Sequence, residues 1–319
     1  MFLSRRAPIA ALVVACAVAL TGCSGGSTAA DPGGDALTVL ASFYPLQYVV
    51  EQVGGDLVTV SSLTPPGAEP HDLELSPRQV REVGDADVVV YLAGFQPAVD
   101  DAIAARTPQN LVDAASTAAV AEHLAEADAE AGTGDGDATA ADDGHAHATG
   151  DPHFWLDPTL LAAVAVDVAA SLGEADPAHA ADFAAGARAL GADLTALDEE
   201  IAAGLASCER RVIVTSHAAF GFLAERYDLQ QVGISGLDPE SEPSPARLRE
   251  IRAVVTEYQV TTLFTETLVN PKVAETLAGD LGITTAVLDP VESRVDDGTD
   301  YRDAMDANLA ALRLALGCA

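Results

Sequence analysis

Residues 177–207, PAHAADFAAGARALGADLTALDEEIAAGLAS, place apolar side chains at Phe183, Ala187, Leu190, Leu194, Leu197, Ile201 and Leu205. Every step is three or four residues, which lines one face of an α-helix. Over residues 178–206 such a helix measures roughly 44 Å at 1.5 Å per residue. A rod of that length does not fit inside one small lobe. Residues 176–207 therefore read as a linking helix that runs across two lobes.

The flanks carry the lobes. Before the helix, Leu37-Thr38-Val39-Leu40-Ala41-Ser42-Phe43 is strand-like, residues 45–53 are helical, and Leu57-Val58-Thr59-Val60-Ser61-Ser62-Leu63 is a second strand. A Pro/Gly loop leads to a helix over 77–83. Asp87-Val88-Val89-Val90-Tyr91-Leu92 then reads as a buried strand, and Asn110-Leu111-Val112 as a shorter fourth. After the helix the alternation repeats. Strands are expected at residues 211–215, 232–234, 261–264 and 285–288. Helices are expected at 218–226, from Ser244-Pro245 to about 258, from Pro271, and over 301–316. Ser244 is a natural N-cap and Pro245 suits a first turn. Repeated strand–helix–strand order predicts an α/β fold with mostly parallel sheets covered on both faces. The expected organisation is an N-terminal lobe at 37–175 and a C-terminal lobe at 208–319.

Arg5 and Arg6 precede an apolar run from Ile9 to Leu20, which ends in Leu20-Thr21-Gly22-Cys23. About a dozen apolar residues is short for a bilayer span and suits the core of a signal peptide. Leu-Thr-Gly-Cys resembles a bacterial lipobox, so residues 1–22 are expected to be removed and Cys23 lipidated, anchoring the protein outside the cytoplasm. The alternative is an ordinary secretory cut with Cys23 incidental. Residues 23–36 lack bulky apolar groups and read as a flexible tether. No apolar run beyond them is expected to be long and uncharged enough to cross a bilayer.

With 16 Lys and Arg against 49 Asp and Glu, the formal net charge is −33. Nucleic-acid binding, which needs basic surface, is excluded as an expectation. Of four cysteines, Cys208 and Cys318 remain once the leader and Cys23 are set aside. Outside the cytoplasm they are a candidate disulfide, with two free buried thiols as the alternative. Residues 122–150 are rich in Ala, Asp, Gly and His with no bulky apolar side chain after Leu124, and are expected to form a mobile loop. His123, His145 and His147 lie there among Asp142 and Asp143. The last four are a possible weak metal site, or part of an inert linker.

Three of the seven histidines stand in informative places. His71 lies in Gly67-Ala68-Glu69-Pro70-His71-Asp72 after a strand. His153 lies in Asp151-Pro152-His153-Phe154-Trp155-Leu156-Asp157-Pro158 before a helix. His217 closes Thr215-Ser216-His217 at a strand end, and Asp289 follows the last strand. The C-terminal edges of parallel strands are where α/β sheets bind ligands. Read singly, each histidine is a weak signal, and composition alone reaches a two-lobed protein with a possible metal site.

In this order these segments, with Thr215-Ser216-His217-Ala218-Ala219-Phe220-Gly221-Phe222-Leu223, Phe264-Thr265-Glu266 and Leu288-Asp289-Pro290, resemble the metal-binding receptors of bacterial zinc and manganese ABC importers. The resemblance covers nearly the whole mature chain. It implies two small α/β lobes joined by one long helix, with His71, His153, His217 and Asp289 as metal ligands, and an ABC importer permease as partner. Three imidazoles and a carboxylate suit four-coordinate Zn²⁺, whereas Mn²⁺ prefers more carboxylate. Glu69 competes with Asp289 for the fourth position. Glu266 is a candidate acceptor for a ligand's imidazole N–H, and Trp155 and Phe154 either wall the site or fill the core. The expected protein is a monomeric extracytoplasmic zinc receptor and not an enzyme. Its rivals are a manganese or iron receptor, a zinc-dependent hydrolase with an open metal position, and a surface adhesin or metal buffer without a permease.

Overall fold

The computed structural model describes residues 36–131, 150–294 and 298–319. The first half closes a four-stranded sheet from β1 (Leu37–Ala41), β2 (Val58–Ser62), β3 (Val88–Tyr91) and β4 (Leu111–Asp113). All its pairings are parallel, in the order β2-β1-β3-β4. The second half repeats the plan with β5 (Val212–Thr215), β6 (Gln230–Gly233), β7 (Thr262–Thr265) and β8 (Thr284–Val287), ordered β6-β5-β7-β8. The central strands are apolar on both faces: Val88, Val89 and Val90 are fully buried, as are Val214 and Leu263. That burial is why they read as continuous apolar runs and not as alternating ones.

Helices α1 (Tyr44–Gly54), α2 (Pro77–Asp85), α3 (Pro97–Arg106) and α4 (Ala118–Ala131) accompany the first sheet. A Ser76–Gln79 capping box starts α2, each side chain satisfying the other's backbone N–H. Next come α5 (Pro158–Ala175) and α6 (Ala180–Leu205), and around the second sheet α7 (Gly221–Arg226), α8 (Pro245–Glu257), α9 (Lys272–Leu281) and α10 (Tyr301–Leu316). Ser244 caps α8 through the Arg247 N–H, as its sequence suggests.

The linking helix is α6, about 39 Å long at 1.5 Å per residue. All seven residues of its apolar stripe are buried. They join one continuous core with Val49 and Val53 of α1, Leu161 and Val168 of α5, and Met305 and Leu312 of α10. Gly186 lets α6 cross the end of α1, where any side chain would strike the Val53 carbonyl. The link is thus a helix pair, since α5 packs along α6. By length and composition α5 would itself suffice to cross a bilayer, contrary to the sequence expectation. Here Leu160, Leu161, Val164, Val168 and Leu172 are buried in the shared core instead.

One further expectation changes. Residues 122–131 are helical, completing α4, because Ala and Glu favour helix and Leu124 packs against the core. His123 therefore sits on a helix, where it stacks on Phe222 at 4.4 Å and pairs with Glu225 at 2.9 Å. Cys208 and Cys318 are disulfide-bonded, as expected, tying the entry to β5 to the second residue after α10. Cys23, Asp142, Asp143, His145 and His147 lie outside the described residues.

Candidate metal centre

The histidines come from three separate connections. His71 lies in the loop between β2 and α2, which Gln96 holds from beneath by donating to Pro70 O at 3.1 Å and Thr64 Oγ1 at 3.0 Å. His153 immediately precedes a turn of 3₁₀ helix, Phe154–Leu156, that leads into α5. His217 lies two residues past the end of β5. The structure brings all three together, with ring centroids 5.4 Å apart for His71–His153, 5.4 Å for His153–His217 and 6.0 Å for His71–His217.

The carboxylate that meets them is Glu292, not Asp289. Glu292 Oε1 lies 2.8 Å from His153 Nε2 and 3.5 Å from Nε2 of both His71 and His217. One ligand-type atom from each of the four residues falls within 4.8 Å of all the others. Asp289 Oδ1 instead accepts the Val291 N–H at 2.8 Å. Asn308 clamps the Asp289 backbone from both sides, donating to its carbonyl and accepting from its N–H, each at 2.7 Å. Val291 adopts φ 57°, a left-handed conformation. Asp289 thus shapes the turn after β8, and the turn delivers the carboxylate three residues later. An Asp before Pro, at a strand end, is a turn signal that could have pointed to Glu292.

Glu69 Oε1 stands farther off, 3.9 Å from His71 Nε2, and is not among the four residues whose ligand-type atoms cluster. Its carboxylate accepts the backbone N–H of His71 at 3.1 Å and of Asp72 at 3.3 Å, folding the loop. Behind the cluster, Asp151 Oδ1 lies 2.5 Å from His153 Nδ1, and Glu266 Oε2 lies 2.5 Å from His217 Nδ1. The Glu266 contact is short but falls outside hydrogen-bond angles. Both carboxylates leave Nε2 facing inward.

The surroundings are dry. His153 and His217 are fully buried and Glu292 is 3% exposed. Trp155 packs against His153 at 5.1 Å, and Phe95, which no motif singles out, packs against His71 at 4.8 Å. Trp155 is both wall and core. Its indole N–H donates to Pro290 O at 2.8 Å, and its own carbonyl accepts Tyr301 OH at 2.6 Å. Across the same cleft Gly67 N–H donates to Ser293 Oγ and Arg294 O, both at 2.9 Å. The His71 loop and the Glu292 loop are therefore tied together.

Nε2 of His71, His153 and His217 and Oε1 of Glu292 are all buried and face one another, with His153 Nε2 and Glu292 Oε1 the one pair at hydrogen-bond distance. Burial opposes charge on His153, but Asp151 and Glu292 outweigh it and push its pKa up to about 9. Burial likewise opposes charge on His217, and Glu266 and Glu292 push it up to about 10. Burial raises Glu292, yet the three imidazoles hold it well below the usual carboxylate range. The shifts of His153, His217 and Glu292 favour protonated imidazoles beside an ionised carboxylate, so a cation entering the cluster competes with protons.

Residues 39–315 match the family described as zinc-uptake complex component A, periplasmic. The chain belongs to that family. Among its relatives, the high-affinity zinc uptake system protein ZnuA of Bacillus subtilis is 32% identical over 315 residues, covering 96% of each chain. The zinc-binding protein AdcA of Streptococcus pyogenes serotype M3 is 32% identical over 289 residues, 86% of this chain and 55% of that protein. This member of the zinc-uptake component A family thus spans about half the length of the streptococcal AdcA proteins it matches. Among solved structures, the Zn(II)-bound ZnuA-like domain of Streptococcus pneumoniae AdcA superposes with a TM-score of 0.69 at 30% identity, covering 88% of this chain and 99% of that one.

Proposed function

We propose that the chain is an extracytoplasmic receptor that captures Zn²⁺ between its lobes and delivers it to the permease of an ABC importer. His71, His153 and His217, each through Nε2, and Glu292 through Oε1 are the ligands. The observation that carries this reading is the set of four buried, mutually facing ligand-type atoms, of which Nε2 of His71 and of His217 have no closer polar company than Glu292 Oε1 at 3.5 Å. Unpartnered polar atoms are costly in a dry site, and a cation accepting their lone pairs removes that cost.

Three imidazoles and one carboxylate favour Zn²⁺ over Mn²⁺. Four protein donors fill tetrahedral zinc and leave no position for a reactive water, which supports a receptor over a hydrolase. The receptor itself does no covalent chemistry. It exchanges the ion's water for protein donors, holds it away from solvent, and orients the imidazoles with Asp151 and Glu266. The Leu20-Thr21-Gly22-Cys23 sequence supports attachment to the membrane through a lipidated Cys23.

Titration of metal-free protein with Zn²⁺ against a calibrated chelator tests the reading. One tight site per chain is expected, with Mn²⁺ bound more weakly. Absence of a tight site, or tighter Mn²⁺ binding at equal free concentration, would overturn it.

A further inference from the structure

Asp151 is held from two sides. Its Oδ1 accepts the backbone N–H of His153 at 3.0 Å and faces Nδ1 of the same residue at 2.5 Å. Its Oδ2 rests against Gly221, the first residue of α7 in the opposite lobe. A Cβ built on Gly221 would meet Oδ2 closer than real Cβ atoms approach any heavy atom. The hydrogen on Gly221 is thus the floor of the seat that the Asp151 carboxylate occupies. On the other side of that position stands Gln231 Oε1, at 3.9 Å. The Gln231 amide donates to His217 O at 3.2 Å and to Thr215 Oγ1 at 3.1 Å. Gly221 itself is not among the ligand-bearing residues of the cluster.

We infer that Asp151 and Gly221 act as a pair of positioning residues for His153: Gly221 seats the Asp151 carboxylate across the lobe boundary, and the seated carboxylate fixes the His153 ring with Nε2 toward the metal. The inference rests on the zinc reading above. Physically, an imidazole whose Nδ1–H is held by a carboxylate has its tautomer and rotation set before the metal arrives, so less ordering is needed on binding. A methyl at 221 would push Oδ2 away. The same carboxylate carries both the backbone and ring contacts of His153, so the ring would lose its hold. Because the seat is in one lobe and the ligand on the segment leading to α5, His153 is aligned only where the lobes meet.

A double-mutant cycle tests this. Asp151→Ala, Gly221→Ala and the pair are each titrated with Zn²⁺ against a chelator. Each single change is expected to weaken affinity about 10- to 100-fold, the usual scale for a carboxylate behind a histidine ligand. The double variant should match Asp151→Ala within about twofold, because the methyl then has no carboxylate to displace. A spectroscopic readout separates positioning from general damage. In the zinc-loaded wild type the His153 Nδ1–H should appear as a slowly exchanging, hydrogen-bonded imidazole resonance, and both single variants should lose it. If Gly221→Ala misfolds alone but the double variant folds and binds, the coupling stands. Additive losses, or Gly221→Ala binding zinc like the wild type, would overturn it. Failure of the wild type to bind zinc would instead sink the receptor reading.

Discussion

Glu292 Oε1 reaches across the lobe boundary to within 2.8 Å of His153 Nε2, and the turn that sends it there is tied by the carboxylate of Asp289. One acid shapes the loop and another enters the site. The distinction has consequences that can be measured.

Glu292→Gln removes the carboxylate from among three buried imidazoles. Breaking a buried charge partnership costs about 3–5 kcal/mol, so zinc affinity should fall by roughly two to three and a half orders of magnitude. Asp289→Ala removes only the bond to the Val291 N–H and should weaken binding less. Chelator competition on both variants checks the order, and a larger loss from Asp289→Ala would restore Asp289 as a ligand.

Proton release should accompany zinc binding. In metal-free protein His153 is pushed up to about 9 and His217 to about 10 by their carboxylate neighbours, against burial. Both pKa values lie above the unfolded value of about 6.5. Their contribution to metal-free stability is then complete below about pH 6.5 and is lost as pH rises through about 9 to 10. Glu292 works in the other direction: with its pKa depressed, its contribution is present above the ordinary carboxylate range and fades only in stronger acid. Zinc affinity should rise with pH from 6 to 9 as fewer protons compete. Calorimetry in buffers of different ionisation heat should show protons leaving at pH 7, and a buffer-independent heat would contradict this.

The Cys208–Cys318 bridge closes a loop with a sequence separation of 110 and stands before the start of β5, whereas His217 follows that strand's other end. Replacing both by Ser should lower unfolding free energy by about 2–5 kcal/mol. Zinc affinity of the folded protein should be unchanged. Denaturant unfolding and chelator titration of the same sample separate the two.

Trp155→Phe keeps an aromatic wall but leaves Pro290 O without its donor. A buried unsatisfied carbonyl costs about 1–3 kcal/mol. The variant should melt earlier and recover stability with zinc by less than the wild type, because the Glu292 loop is held less firmly. Paired thermal scans with and without zinc check this.

Much of the architecture was legible in the residues themselves. The stripe from Phe183 to Leu205 is the buried face of α6, and the apolar runs at 88–90 and 212–214 are central strands. His71 and His217 stand out because they follow strand ends, and His153 because it opens the segment leading into a helix; the family resemblance is what joins the three. Glu292 could not be reached by that rule. It lies beyond a left-handed Val291, so its direction depends on a turn whose geometry no periodicity records. Phe95 was hidden for a related reason, since it reaches His71 through tertiary packing alone. The helix over 122–131 follows from the helix propensity of its Ala and Glu residues, a signal that the stretch's resemblance to a polar loop conceals. The α5–α6 pair was underestimated because an Ala-rich helix shows little contrast between its faces.

The central claim is that four named atoms share one ion. Anomalous diffraction at the zinc edge from zinc-loaded crystals tests it directly. The account predicts a single strong peak with Nε2 of His71, His153 and His217 and a carboxylate oxygen of Glu292 each about 2.0–2.2 Å away. A peak elsewhere, or one coordinated by Asp289 or Glu69 in place of Glu292, would contradict it.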